Sequence, residues 1–179
     1  LVNNASAISL TGTVDTPMKR YDLMHQINTR GTFACCQAVH PYLVQASNPH
    51  ILTISPPLDM QAKWFSPYVA YTMAKFGMSM CMLGMADEFK KDGIACNSLW
   101  PRTIIATAAL QMIPEADSET GRTPEIVADA AHTILCRDSA SCTGNFLIDD
   151  EVLADEGIID LEKYAVNPEK ELSTDIFLD

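Results

Sequence analysis

Short, nearly unbroken apolar runs alternate along this chain with longer stretches whose apolar residues recur every three or four positions. The short runs are LVNNAS (1–6), HILTIS (50–55), IACNSL (94–99) and NFLID (145–149). Pro49 and Pro56-Pro57 bound the second and Trp100-Pro101 closes the third. Runs of this length and chemistry read as buried strands. Residues 16–47 read as helix in two pieces. Thr16 is the expected N-cap, Pro17 the first helical position, and Pro41 the expected site of a kink. Residues 67–91 give the strongest helix. It ends in Lys90-Lys91-Asp92-Gly93, a basic last turn followed by a glycine suited to a left-handed cap. A weaker helix is expected over 104–112. Residues 123–137 carry Ile126, Val127, Ala130, Ile134 and Leu135 near one face, behind Thr123 as N-cap and Pro124. Strand and helix alternate throughout, which predicts an α/β fold with a parallel sheet and right-handed crossovers.

The 179 residues are 47% apolar and 20% charged, the balance of one ordinary globular domain. LVNNAS looks like the end of a buried strand, so the chain is expected to begin in mid-fold. No run approaches the roughly 18 apolar residues that a membrane span needs. The net charge of −11 is unevenly spread. Residues 149–179 hold 11 acids and 2 bases, whereas the rest is nearly neutral. Residues 1–150 therefore read as the folded body, and 151–179 as an acidic tail or linker, loosely ordered. Neither part offers the basic stripe that a phosphate backbone requires, which sets nucleic acid aside. The six cysteines include no C-x-x-C pair and the four histidines share no ligand spacing. No metal is expected, and the thiols read as reduced and mostly buried.

Chemistry in a parallel sheet gathers at the carboxyl ends of its strands. Candidate polar groups there are Asn3-Asn4-Ala5, Ser55, the Tyr71–Lys75 helix and Pro101-Arg102-Thr103. Asn28, in INTRG, is a poor helix former and marks a possible break in its helix. Tyr71 and Lys75 stand at i and i+4, on one helix face. An ammonium there favours the phenolate and lowers a tyrosine from its ordinary pKa of about 10, making Tyr71 a general acid or base. Tyr68 lies two turns from the lysine, too far to pair with it. By itself Y-x-x-x-K is as readily one turn of an amphipathic helix. What makes it specific is the company of NNA, Asn28 and a strand ending in serine.

Together these motifs resemble the short-chain dehydrogenases/reductases. NNAS is similar to the family's N-N-A-G, INTRG to its N-x-x-G, YTMAK to its Y-x-x-x-K, NSLWPR to its N-x-x-x-P-G and TGNFLIDD to its final strand. The resemblance covers residues 1 to about 150. It implies a Rossmann-like doubly wound sheet, present as the C-terminal two-thirds of the family's domain. It further implies that Tyr71 exchanges a proton with the substrate oxygen, while Lys75 tunes the tyrosine and holds the nicotinamide ribose. Ser55 would hold the substrate oxygen and Asn28 a proton-relaying water. Asn3, Ala5, Pro101 and Thr103 would line the cofactor, NADP or NAD, with NADP favoured. The implied substrate is a small lipid-like ketone or secondary alcohol. The finer likeness is to a peroxisomal or mitochondrial branch whose members carry a sterol-carrier-like domain after the reductase domain. A homo-oligomer is expected of the full-length protein.

Three departures qualify these expectations. Pro56 stands where the family's second, catalytic serine stands, so Ser55 would have to be re-aimed. Arg102 replaces a glycine and either meets an acidic substrate or cofactor group or is a surface arginine. The phosphate-cradling glycine-rich loop is not among the 8 glycines here. The alternative reading is accordingly a degenerate reductase acting as a non-enzymatic lipid- or partner-binding module. A sugar-nucleotide epimerase shares Y-x-x-x-K but fits the short loop before Tyr71 poorly. Met73, Met78, Met80, Met82 and Met85 read as core and dimer packing, with a lipid pocket as the alternative.

Overall fold

The computed structural model describes residues 1–113 and 116–179. Its sheet has four strands in the order β1 (Val2–Asn3), β2 (His50–Ile54), β3 (Ala95–Trp100) and β4 (Phe146–Ile148). All neighbours are parallel, with Val2 opposite Leu52, Thr53 opposite Ser98 and Ser98 opposite Phe146. The expected parallel α/β fold is therefore present. Side chains alternate across the sheet and so divide the core in two. Ile51 and Cys96 pack with Met82, Met85 and Phe89 on one face. Leu52 and Leu99 pack with Ile126, Ala130 and Ile134 on the other. Helices cover both faces, which is the doubly wound arrangement.

The first face carries α1 (Met18–His25), α2 (Gly31–Leu43) and α4 (Val69–Glu88), with a one-turn α3 (Ala62–Phe65) before the last. Among the α4 methionines, Met78, Met82 and Met85 are buried in this core, while Met73 and Met80 face outward. The second face carries α5 (Glu125–Cys136) and α6 (Asp149–Asp155). Ile126, Ala130 and Ile134 recur every four residues along α5, which is the stripe the sequence shows. Gly93 has φ +69° and closes the 3-10 turn after α4, as its place in the sequence predicts.

Several expectations need correction. Thr16 does not cap α1: its hydroxyl meets Thr11 and the Gly12 carbonyl inside the preceding loop. Pro17 takes the capping position. Thr123 does not cap α5 with its side chain, because Pro124 occupies that position. Tyr68 lies just outside α4, at φ −146°, so the helix begins two residues later than predicted. Residues 104–112 give one 3-10 turn, Ala108–Met112, rather than an α-helix. Pro41 falls in the last turn of α2, and the helix ends two residues later at Leu43.

The largest correction concerns the acidic tail. After α6 the chain packs back onto the body. Tyr164 is buried and its hydroxyl donates to Asp129 at 2.6 Å. Residues 173–178 then cross the carboxyl end of β3. The Ile104 N–H donates to the Ser173 carbonyl, the Asp175 N–H to the Arg102 carbonyl, and the Trp100 indole N–H to the Ile176 carbonyl, the last at 2.9 Å. Charge count suggests a solvated tail, but the segment's few apolar residues decide its path. Phe177 is buried among Tyr71, Phe76 and Trp100.

Candidate active site

At the carboxyl ends of the strands lies a cleft of about 570 Å³. Asn4 reaches it from the end of β1, Ile54 from β2, and Trp100 and Pro101 from β3. Tyr68, Tyr71 and Lys75 enter from α4, and Val127 and Ala131 close it from α5. This is where the fold class places ligands, and the walls are mainly aliphatic.

Tyr71 and Lys75 are both buried, at 5% and 3% exposure, with the cleft as their outlet. The Lys75 Nζ donates to the Ile54 carbonyl at 2.7 Å and sits 4.9 Å from the centre of the Trp100 ring. Neither neighbour carries a net charge, so burial pulls this amine down to about 7. Burial, reinforced by the negative charge of Asp175, pushes the Tyr71 phenol upward. That reverses the expected effect of Lys75 on Tyr71. Desolvation prevails because the phenol is almost wholly removed from water.

The other sequence candidates are spread around the cleft rather than gathered in it. Asn28 is fully buried in a π-helical turn, Gln26–Arg30, between α1 and α2. Its side chain accepts from the Ala7 N–H at 2.8 Å and donates to the Ala7 carbonyl at 3.0 Å. The amide thus pins the loop after β1, and the expected break in the helix is real. Pro101 lines the cleft. Ser55 does not: its hydroxyl, fully buried, lies 3.0 Å from that of Ser98 beneath α4. The strand pleat aims it there, because Ser55 shares the parity of Thr53, which also faces α4 through Met82. Asn3 is likewise turned into the sheet, donating to Thr53 Oγ1 at 3.2 Å, and Ala5 is exposed beyond the cleft. Thr103 is buried against the strap that follows α6, paired with Thr174. Arg102 forms ion pairs with Asp150 and Glu151 at the start of α6 and faces away from the cleft.

A family model described as enoyl-(acyl carrier protein) reductase matches residues 1–151. The chain belongs to the short-chain dehydrogenase/reductase family. It is 53% identical to hydroxysteroid dehydrogenase-like protein 2 of Xenopus tropicalis over 180 residues, covering 100% of this chain and 43% of that protein. A crystal structure from Xanthomonas campestris is 57% identical with a TM-score of 0.97, covering 99% of this chain and 65% of that one. The angucycline C-6 ketoreductase LanV, solved with bound NADP, shares the fold at a TM-score of 0.68 and 23% identity, covering 83% of this chain and 59% of that one. The chain thus spans less than half the length of the curated relative and about two-thirds of the most similar structure quoted. Membership makes it a portion of an oxidoreductase domain of the Rossmann-like, NAD(P)-linked kind.

The cleft has lining residues that sequence reasoning missed. Asn4 and Ser6 line the cleft in place of their neighbours Asn3 and Ala5. Pleat parity gives the signal for Asn4, since a strand-end residue next to one buried in the sheet faces the other way. Trp100 forms the floor under Lys75. Asp175 lines the cleft as well, although it lies in the segment read as tail. No local pattern announces it. Only the apolar Ile176-Phe177-Leu178 that follows shows that the segment has something to bury.

Proposed function

We propose that this reductase interconverts a ketone and a secondary alcohol on a lipid-like substrate, using NADP(H) or NAD(H). The single observation that carries this reading is the shared outlet of Tyr71 and Lys75 into one largely apolar cleft at the carboxyl ends of the strands. Its donor set suits the nicotinamide end of a dinucleotide. Lys75 has ammonium protons beyond the one given to Ile54, and Asn4 and Ser6 offer polar groups at the rim. Such a cofactor supplies or accepts the hydride. Tyr71 gives its proton to the substrate oxygen in reduction and takes it back in oxidation. A phenol held high by burial stays protonated near neutral pH, which is the form that reduction requires. Aliphatic walls from α5 and the loop after β3 suit a steroid or fatty-acyl body and exclude water from the proton transfer. The outward Met73, Met80 and Leu83 on α4 and Phe33 on α2 support an oligomer that covers them.

The test is turnover by the full-length protein with NADPH and a panel of steroid and long-chain ketones. Tyr71→Phe is expected to lose on the order of a hundredfold or more, and Tyr68→Phe to stay near the parent. Parent-like activity in Tyr71→Phe would remove Tyr71 from its role.

A second reading, a non-enzymatic lipid-binding module, is favoured by one observation: Ser55 is committed to Ser98, leaving the cleft without the family's oxygen-holding serine. Tight binding of a fluorescent fatty acid, with NADPH unconsumed across the whole panel, would support that reading over the first.

A further inference from the structure

Lys75 is the buried cation of the cleft, and burying an ammonium is costly unless a charge answers it. The contacts already described do not supply one. The Ile54 carbonyl and the Trp100 ring offer only dipole and quadrupole. Tyr71, one turn back on α4, is neutral. The acidic group that lines the cleft among the described residues is Asp175, and it comes from the strap after α6.

That strap is firmly held. The Asp175 N–H donates to the Arg102 carbonyl at 3.0 Å, and Thr174 pairs with Thr103. On its other side the Ile176 carbonyl accepts from Trp100, the same ring on which Lys75 rests. Phe177 follows at φ +74°, a left-handed conformation that a bulky residue adopts only when its surroundings dictate it. Those surroundings are the rings of Trp64, Tyr71, Phe76 and Trp100. The chain therefore bears strain to seat Phe177, and the carboxylate two residues earlier is carried into the cleft.

We propose that Asp175 is the counter-charge that keeps Lys75 an ammonium inside the cleft, a positioning residue that acts on Tyr71 through Lys75. This rests on the reading of Tyr71 and Lys75 as the proton-transfer pair. It adds a member from outside the motifs that define the pair. The electrostatics run the same way: Asp175 raises Lys75 against the lowering by burial, and Lys75 lowers Asp175. Asp149, held by the Arg102 and Asp150 N–H groups, stands behind Asp175 and pushes it upward.

The experiment is a titration of Lys75 in the full-length protein, by the ε-carbon resonance of 13C-labelled lysine, assigned with Lys75→Met. Asp175→Asn is expected to lower the Lys75 midpoint by on the order of one pH unit or more. Glu151→Gln, which alters an exposed partner of Arg102, should leave it unchanged. An unmoved midpoint in folded Asp175→Asn overturns the proposal. Should that variant not fold, the reciprocal measurement decides. A carboxyl titrating near neutral pH in 13C-labelled aspartate should shift upward in Lys75→Met, and its staying in place overturns the proposal equally. Neither readout uses turnover, so loss of the oxidoreductase reading and loss of this one are told apart.

Discussion

The Ser55 hydroxyl lies 3.0 Å from the Ser98 hydroxyl, sealed beneath α4 and outside the cleft lining. Ser55→Ala would then leave Ser98 buried without a partner, at a cost of about 1–3 kcal/mol. Ser55→Ala/Ser98→Ala removes both groups and should recover most of that loss. Urea unfolding of the single and double variants measures the coupling. Turnover in Ser55→Ala should stay near the parent value; a large drop in kcat would return the serine to the substrate.

Gly77 faces the π-helical turn that carries Asn28. A Cβ built there lies 2.4 Å from Thr29 Oγ1 and 2.8 Å from its Cγ2. Thr29 cannot swing clear cheaply, because it is β-branched and donates to the Ala74 carbonyl at 3.0 Å. Gly77→Ala should therefore destabilise by about 1–3 kcal/mol, overriding the roughly 1 kcal/mol by which alanine favours a helix. Adding Thr29→Ala removes the clashing atoms and should restore part of the loss. Thermal melts of the two variants check the order.

Asn28 holds the Ala7 backbone by both its donor and its acceptor, at 3.0 and 2.8 Å. Asn28→Asp keeps the shape and the acceptor but sets a second acceptor against the Ala7 carbonyl. Asn28→Ala loses both bonds. Each should cost about 1–3 kcal/mol, and the loop after β1 should exchange its amide protons faster. Hydrogen exchange localised to residues 5–10 is the measurement. Unchanged protection there would mean that other contacts hold the loop.

The parts legible in the sequence are those whose signal is local. Pro49 and Pro56 bracket β2, Gly93 marks the end of the turn after α4, and Ile126, Ala130 and Ile134 trace the buried side of α5. Tyr71 and Lys75 are legible as a pair because one helix turn fixes their relation. The position of Ser55 was not, since its use depends on which side of the pleat its hydroxyl takes. Asn3 misled for the same reason, and Asn4 faces the cleft instead. The strap was least legible. Its acids suggest solvent, and its attachment depends on Phe177 reaching rings supplied by α3, α4 and β3.

The pH dependence of stability follows from Asp175 and Lys75. Asp175 titrates near 7 when folded, against about 3.9 unfolded, because burial disfavours its charge. Between those values the folded protein binds more protons than the unfolded chain, so this group's contribution falls as pH rises from about 4 to 7. Lys75 titrates near 7 when folded, against about 10.4 unfolded. Between those values the unfolded chain binds more protons, so stability recovers as pH rises from about 7 to 10. The pair contributes a trough near neutral pH. Asp175→Asn should flatten the acid limb and leave an alkaline limb. Urea midpoints taken across that range in both proteins test this, and an acid limb of equal slope in both would assign it to other carboxyls.

Phe177 offers a test in which the usual ranking of small residues reverses. Its ring lies 6.2 Å from that of Tyr71, nearly parallel at 27°, and 5.4 Å from that of Phe76. Phe177→Ala empties the centre of this cluster, a loss of about 3–5 kcal/mol. Phe177→Gly empties the same space but also relieves the left-handed backbone at φ +74°. In most positions glycine is the less stable of the two by roughly 0.5–1 kcal/mol, because it gains more entropy on unfolding. Here the left-handed conformation costs alanine on the order of 1 kcal/mol and glycine almost nothing. Phe177→Gly should thus be at least as stable as Phe177→Ala. Both should weaken the hold on Asp175 and carry the Lys75 midpoint downward with it. A clear advantage for alanine in paired melts would mean that residue 177 relaxes out of the left-handed region once its ring is gone, and that packing alone held it there.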